Sequence, residues 1–149
     1  MSATNSYEKQ VLKNLLLGQQ VNAITPYMGL SLSNPTENAS NLSEPPGSAN
    51  YGRVNLLDSD GFLSLSTGTN AWSEPDIDTS SGDNITNANQ IVFPEATGSW
   101  GTITYWFIAN SASGVGSDIL AFGQLQSPRN VAPGVRLVFP PNSISLTAQ

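Results

Sequence analysis

The sequence predicts a mostly β fold: a single antiparallel β-sandwich or jelly-roll-like domain preceded by a short N-terminal α-helix. Three observations carry this expectation. Apolar residues recur at three- and four-residue spacing up to Gly18, and at two-residue spacing after it. The C-terminal half breaks into short β-branched and aromatic runs at a spacing of roughly ten residues. Gly, Pro, Asn and Ser fill the gaps between those runs. With 149 residues and 38% hydrophobic content, the chain has material for one core.

The helix comes first. Asn5 or Ser6 is placed to cap it, and Glu8 follows Asn5 by three residues, as in a capping box. Tyr7, Val11, Leu12, Leu15 and Leu16 form an apolar stripe, Lys9 and Lys13 lie off it, and Gly18 is a C-terminal stop. So short a helix is marginal alone, so the stripe must bury against the domain's own sheet or against a neighbouring subunit. Ile24, Met28, Leu30 and Leu32 then share one parity, which reads as a strand. A polar segment from Asn34 to Asn50 forms a long loop that lies over a surface or reaches a partner.

Strand signals resume at Arg53–Leu57, followed by a turn at Asp58–Gly61 and a strand at Phe62–Leu65, and residues 66–90 read as loop. Further strands are expected at Ile91–Phe93, Thr102–Ala109, Asp118–Gln124, Gly134–Phe139 and Ser143–Thr147, with a turn at Ser127–Asn130. Thr102–Ala109 is apolar at both parities, as in a central strand covered on both faces. The expected organisation is a docking arm at 1–20 and a sandwich at 21–149 with long loops at 34–50 and 66–90.

Composition narrows the chemistry. There is no histidine and no cysteine, which removes Ser-His-Asp and Cys-His catalysis, disulfides, and imidazole or thiolate metal sites. The acids lie in Gly/Ser/Pro/Asn-rich stretches, where a carboxylate is solvated and no glycosidase-type acid with a raised pKa is expected. Asp58-Ser59-Asp60-Gly61 fails the calcium-loop pattern because Phe62 and Thr69 fall where ligands are required. No catalytic residue, cofactor or metal is therefore expected. Five scattered cations against eleven acids exclude a nucleic-acid stripe, and no apolar run is long enough to span a bilayer. No secretory signal is visible, so synthesis in a cytoplasm is the expectation. Trp100, Tyr105, Trp106 and Phe107 read as core. Trp72, alone in a loop, is a candidate for stacking on a sugar or filling a neighbour's pocket.

Four segments together resemble a family of small tailed-phage virion proteins, commonly labelled phage tail fibre or virion structural proteins. They are the helix Asn5-Ser6-Tyr7-Glu8 to Gly18; Tyr27-Met28-Gly29-Leu30-Ser31 with Asn34-Pro35; Glu44-Pro45-x-Gly47 with Tyr51-Gly52-Arg53-Val54; and Ile91-Val92-Phe93-Pro94-x-Ala96-Thr97-Gly98-Ser99-Trp100-Gly101-Thr102. Ile119–Leu125 fills the place of a further family strand. The resemblance runs from about residue 5 to 147, with residues 55–90 more acidic and longer than its usual pattern.

It implies a non-enzymatic virion structural protein, made in the host cytoplasm and assembled with other virion proteins, either major capsid or tail proteins, as a homo-oligomer. The short, repeat-free chain favours a capsid decoration or cement protein, held by apolar contacts and by backbone pairing from loop 34–50 or the termini. The alternative is a tail-fibre or tail-associated protein that binds host glycans through Trp72 and loop acids. The candidate interface residues are Tyr7, Val11, Leu12, Leu15, Leu16 and Trp72.

Overall fold

The computed structural model describes residues 2–18, 25–56, 84–87, 90–115 and 118–147. Its elements are β1 (Ser2–Ala3), α1 (Asn5–Leu17), β2 (Tyr27–Ser31), β3 (Val54–Asn55), β4 (Asn84–Thr86), β5 (Ile91–Glu95), β6 (Gly101–Ala109), β7 (Ile119–Val131), β8 (Arg136–Phe139) and β9 (Ser145–Thr147). The expected mostly β, sandwich-like domain with one N-terminal helix is the observed architecture.

Five strands form one antiparallel sheet in the order β1-β7-β6-β2-β3, and two antiparallel ladders, β5-β8 and β4-β9, complete the fold. The apolar parity of β2 explains its position. Met28 and Leu30 are fully buried and face a core shared with Trp106 and Ile108 of β6, Phe93 of β5 and Phe139 of β8. In β8 the alternation is clean, with Leu137 and Phe139 inward and Arg136 and Val138 outward, as expected of a strand wet on one face.

β6 has buried residues at both parities, as its sequence predicts, because the sheet is covered twice. Its second face, with Phe107 and Ala109, meets Ile119 and Phe122 of β7 and is roofed by Ala39 and Leu42. Loop 34–50 therefore folds back over its own sheet. Leu32 N donates to Ser43 O at 2.8 Å, and Pro35 and Ala39 are buried. Of the two expectations for this loop, lying over a surface describes its place in the folded chain, and these backbone groups bond within the chain. The terminal strands are likewise paired internally, Ser2–Ala3 with Phe122 and Ala121, and Ser145–Thr147 with β4.

An aromatic knot closes the core. Trp100 is buried and donates its indole N–H to Ala49 O at 2.8 Å, while Tyr51 meets it edge-on at 5.3 Å. Phe93 packs against Trp100 at 6.4 Å and against Phe139 at 6.0 Å. Close approach at two points requires glycine. A Cβ on Gly29 would lie 2.1 Å from Phe107 Cζ, and one on Gly123 would lie 2.5 Å from Trp106 Cζ2, so each large ring of β6 rests on a bare neighbouring backbone.

Two boundaries differ from expectation. Ser127–Asn130 does not turn the chain; β7 continues to Val131, and the register against β6 shifts between the Ile103 and Tyr105 pairings. An irregularity absorbs the extra residues and tolerates Pro128, which has no N–H to give a ladder. The helix starts one residue earlier than expected, with Thr4 as its cap, which moves Glu8 beyond the capping-box position. The expected loop 66–90 is corrected where it is described, because Asn84–Thr86 forms β4 by pairing with β9. Ile24, the expected turn at Asp58–Gly61 with the strand at Phe62–Leu65, the rest of loop 66–90 and Trp72 lie outside the described residues.

Candidate docking arm

The residues that shape α1 are ordinary helix formers between two stops. Thr4, in extended conformation, accepts the Tyr7 amide on its hydroxyl at 3.4 Å. Gly18 adopts φ +62°, the left-handed conformation that ends a helix and that glycine takes at no steric cost. Between them, Val11 and Asn14 are half-buried, whereas Tyr7, Leu12, Leu15, Leu16 and Leu17 are exposed. Leu15 and Leu16 keep 75% and 79% of their surface, and Leu12 and Leu17 keep 55% and 67%.

Of the two surfaces open to the apolar stripe, its own sheet takes little of it. At 3.6 residues per turn, Val11, Leu15, Leu12 and Leu16 cover an arc of about 140°. That is the width of a stripe meant to be enclosed, and wider than a two-stranded seam uses. Lys9 and Lys13, both lysines of the chain, continue the arc beyond Leu16. The first 18 residues thus hold two cations and one acid, while the rest holds ten acids and three bases. A cationic, leucine-rich rod stands on an acidic body.

A second cluster fastens the body. Arg53, whose side chain is 1% exposed, makes a bidentate pair with Glu44, Nη2 to Oε2 at 2.7 Å and Nε to Oε1 at 3.0 Å. Its Nη1 donates to Ser111 O at 3.1 Å, its Nη2 to Gly114 O, and its guanidinium lies 4.9 Å from the Phe107 ring centre. Tyr51 Oη donates to Glu44 Oε1 at 2.9 Å and accepts from Leu30 N at 2.9 Å. Burial holds the Tyr51 phenol well above its usual range, and the Glu44 charge adds to that effect.

This network ties loop 34–50, β2 and the β6–β7 connection together. The acid, base and phenol are spent on one another, which is an arrangement for holding a fold. Sequence reading counted Arg53 as one scarce cation and missed the clamp. The available signal was a lone base at the same parity as Tyr51, in a middle stretch whose other charges are all acids. Among the described residues no group of three or more acids converges as a metal site would require.

A small β-sandwich with an amphipathic helix rooted on β7, and with its strongest polar network devoted to architecture, has the build of a structural module. The family comparison specifies which kind. The chain belongs to the Gp80 family, described as podophage GP4 fiber I protein gp80, whose model matches residues 2–147. It is thus a phage structural protein of the tail-fibre type and a component of the virion, as the sequence resemblance implied. No curated protein matches the chain.

Proposed function

We propose that the chain is a non-catalytic attachment component of a podophage fibre, joined to another virion protein by insertion of α1 into an apolar groove with an acidic rim. The observation that carries this reading is the exposed leucine face of α1 on a helix whose root is fixed to the sheet. Burying a leucine contributes about 1.5–3 kcal/mol, so four leave a sizeable reserve for a partner. Lys9 and Lys13 suit an acidic rim, and they would speed encounter in a salt-dependent way. Tyr7, Val11, Leu12, Leu15 and Leu16 are the contact residues in this reading, with residues 1–20 as the arm.

The same arm would serve a capsid decoration or cement protein; the fibre description of the family favours the first reading. A receptor-binding role through Trp72 predicts loss of cell adsorption in Trp72→Ala. The test of the arm is the double substitution Leu15→Asp, Leu16→Asp. Particles assembled with it should lack the protein, while the purified variant keeps its β-sheet circular dichroism. Full occupancy on the particle would refute the reading.

A further inference from the structure

One hydroxyl at the root of the arm serves two elements. Thr4 Oγ1 donates to the Ile119 carbonyl at 2.6 Å and accepts from the Tyr7 amide at 3.4 Å. The Thr4 amide donates to the Leu120 carbonyl at 2.9 Å, so backbone and side chain of one residue grip consecutive carbonyls of β7. In a regular strand successive carbonyls point to opposite sides. Here the register against β6 slips, Ile108 pairing with Ala121 and Ala109 with Ile119, and both carbonyls serve Thr4.

The grip is buried, with Thr4 at 1% exposure, and it is flanked on both sides. Before it, β1 pairs Ser2 and Ala3 with Phe122 and Ala121. After it, Asn5 N donates to Glu37 O at 3.3 Å and Asn5 Nδ2 to Asn38 Oδ1 at 3.2 Å, which binds the first turn to loop 34–50. Beyond this root the arm carries little of its own weight on the body, since its leucines stay in solvent.

We infer that Thr4 is the positioning joint of the docking arm: its hydroxyl couples the start of α1 to β7 and fixes the direction in which the leucine face leaves the body. This rests on the reading of α1 as a docking element. A helix of 13 residues is marginal in isolation, so a cap that is also a cross-link keeps it both formed and aimed. Binding then orders less of the chain, and a pre-organised arm binds more tightly than a free one with identical leucines.

The experiment compares the full chain with Thr4→Val, which keeps the branched shape and loses the hydroxyl, and Thr4→Ser, which keeps the hydroxyl. Backbone ¹⁵N relaxation on the free proteins reads the motion of α1 against the body, and attachment to particles lacking the protein reads docking. Thr4→Val should leave body amides unchanged, give α1 independent nanosecond motion, and weaken attachment about tenfold. Thr4→Ser should restore both. Equal α1 order in wild type and Thr4→Val overturns the inference, as does a mobile arm that attaches at full strength while Leu15→Asp, Leu16→Asp fails to attach. If the double aspartate variant also attaches normally, the docking reading itself is overturned.

Discussion

Replacing Gly29 by alanine should destabilise the fold through one ring. The new methyl would sit 2.1 Å from Phe107 Cζ and 2.6 Å from Cε1 and Cε2, against an ordinary contact of about 3.4–4 Å, so the ring must retreat by more than an ångström. It has little room. Phe107 is fully buried, packs in one cluster with Ala39 and Phe122, and has the Arg53 guanidinium 4.9 Å from its centre. Overpacking of this kind costs about 1–3 kcal/mol or more, and the gain from stiffening a strand glycine returns about 0.5–1 kcal/mol.

A net loss of about 1–2 kcal/mol lowers Tm by about 3–6 °C in a chain of this size. Gly52→Ala is the control, because a Cβ there meets nothing within 4 Å, and its Tm should stay within about 2 °C of wild type. Thermal unfolding by circular dichroism and calorimetry measures both. A double variant, Gly29→Ala with Phe107→Leu, should recover part of the loss because the two sites share the same space. Equal Tm values for Gly29→Ala and Gly52→Ala would refute the packing of Phe107 on bare backbone.

Other outcomes follow from the clamp and the arm. Tyr51 has a folded pKa raised above its unfolded value near 10, so its contribution is fully present below about pH 10 and is lost as pH rises above it. Denaturant unfolding between pH 8 and 11 should show a decline that Tyr51→Phe lacks; identical pH slopes would contradict the buried phenol. Glu44→Gln leaves a guanidinium at 1% exposure without its counter-charge and should cost about 3 kcal/mol in chemical denaturation, toward the low end for a broken buried pair because two carbonyls still accept from it. Leu15→Asp, Leu16→Asp should leave the sheet folded, since both side chains are solvated, and cost about 1–2 kcal/mol within α1, because Asp is a poor helix former and meets the negative end of the helix in its last turn; attachment should be abolished.

Local pattern made much of this molecule legible. The change of period at Gly18, the double-faced β6 and the alternation of β8 are properties of neighbouring residues, and α1, β6 and β8 stand within a few residues of their expected places, whereas β1 and β4 are strands where none was expected. What sequence could not give depends on distant partners. Thr4, Asn5 and Ser6 are all competent caps, and the choice of Thr4 is made by the Ile119 carbonyl, 115 residues away. The turn-like residues Ser127 to Asn130 stay in a strand because β6 holds them across an irregularity. The polar composition of loop 34–50 leaves open whether it lies over its own domain or reaches a partner; Ala39 and Leu42 seat it over Phe107.

The arm was visible as a stripe, and its destination was not, because periodicity says that a face will be covered without saying by what. The exposure of Leu12, Leu15, Leu16 and Leu17 in the folded chain is the added information. It makes the helix, rather than the sandwich, the proposed point of contact with the particle.

The most direct test of that account is photo-crosslinking in assembled particles. A photoreactive amino acid in place of Leu16 is compared with one in place of Gln126, which lies on the exposed stretch of β7. The account predicts a crosslink from position 16 to one other virion protein, through a peptide with acidic residues beside apolar ones, and no product from position 126. Position 16 reacting only with solvent, at the same level as position 126, would contradict it.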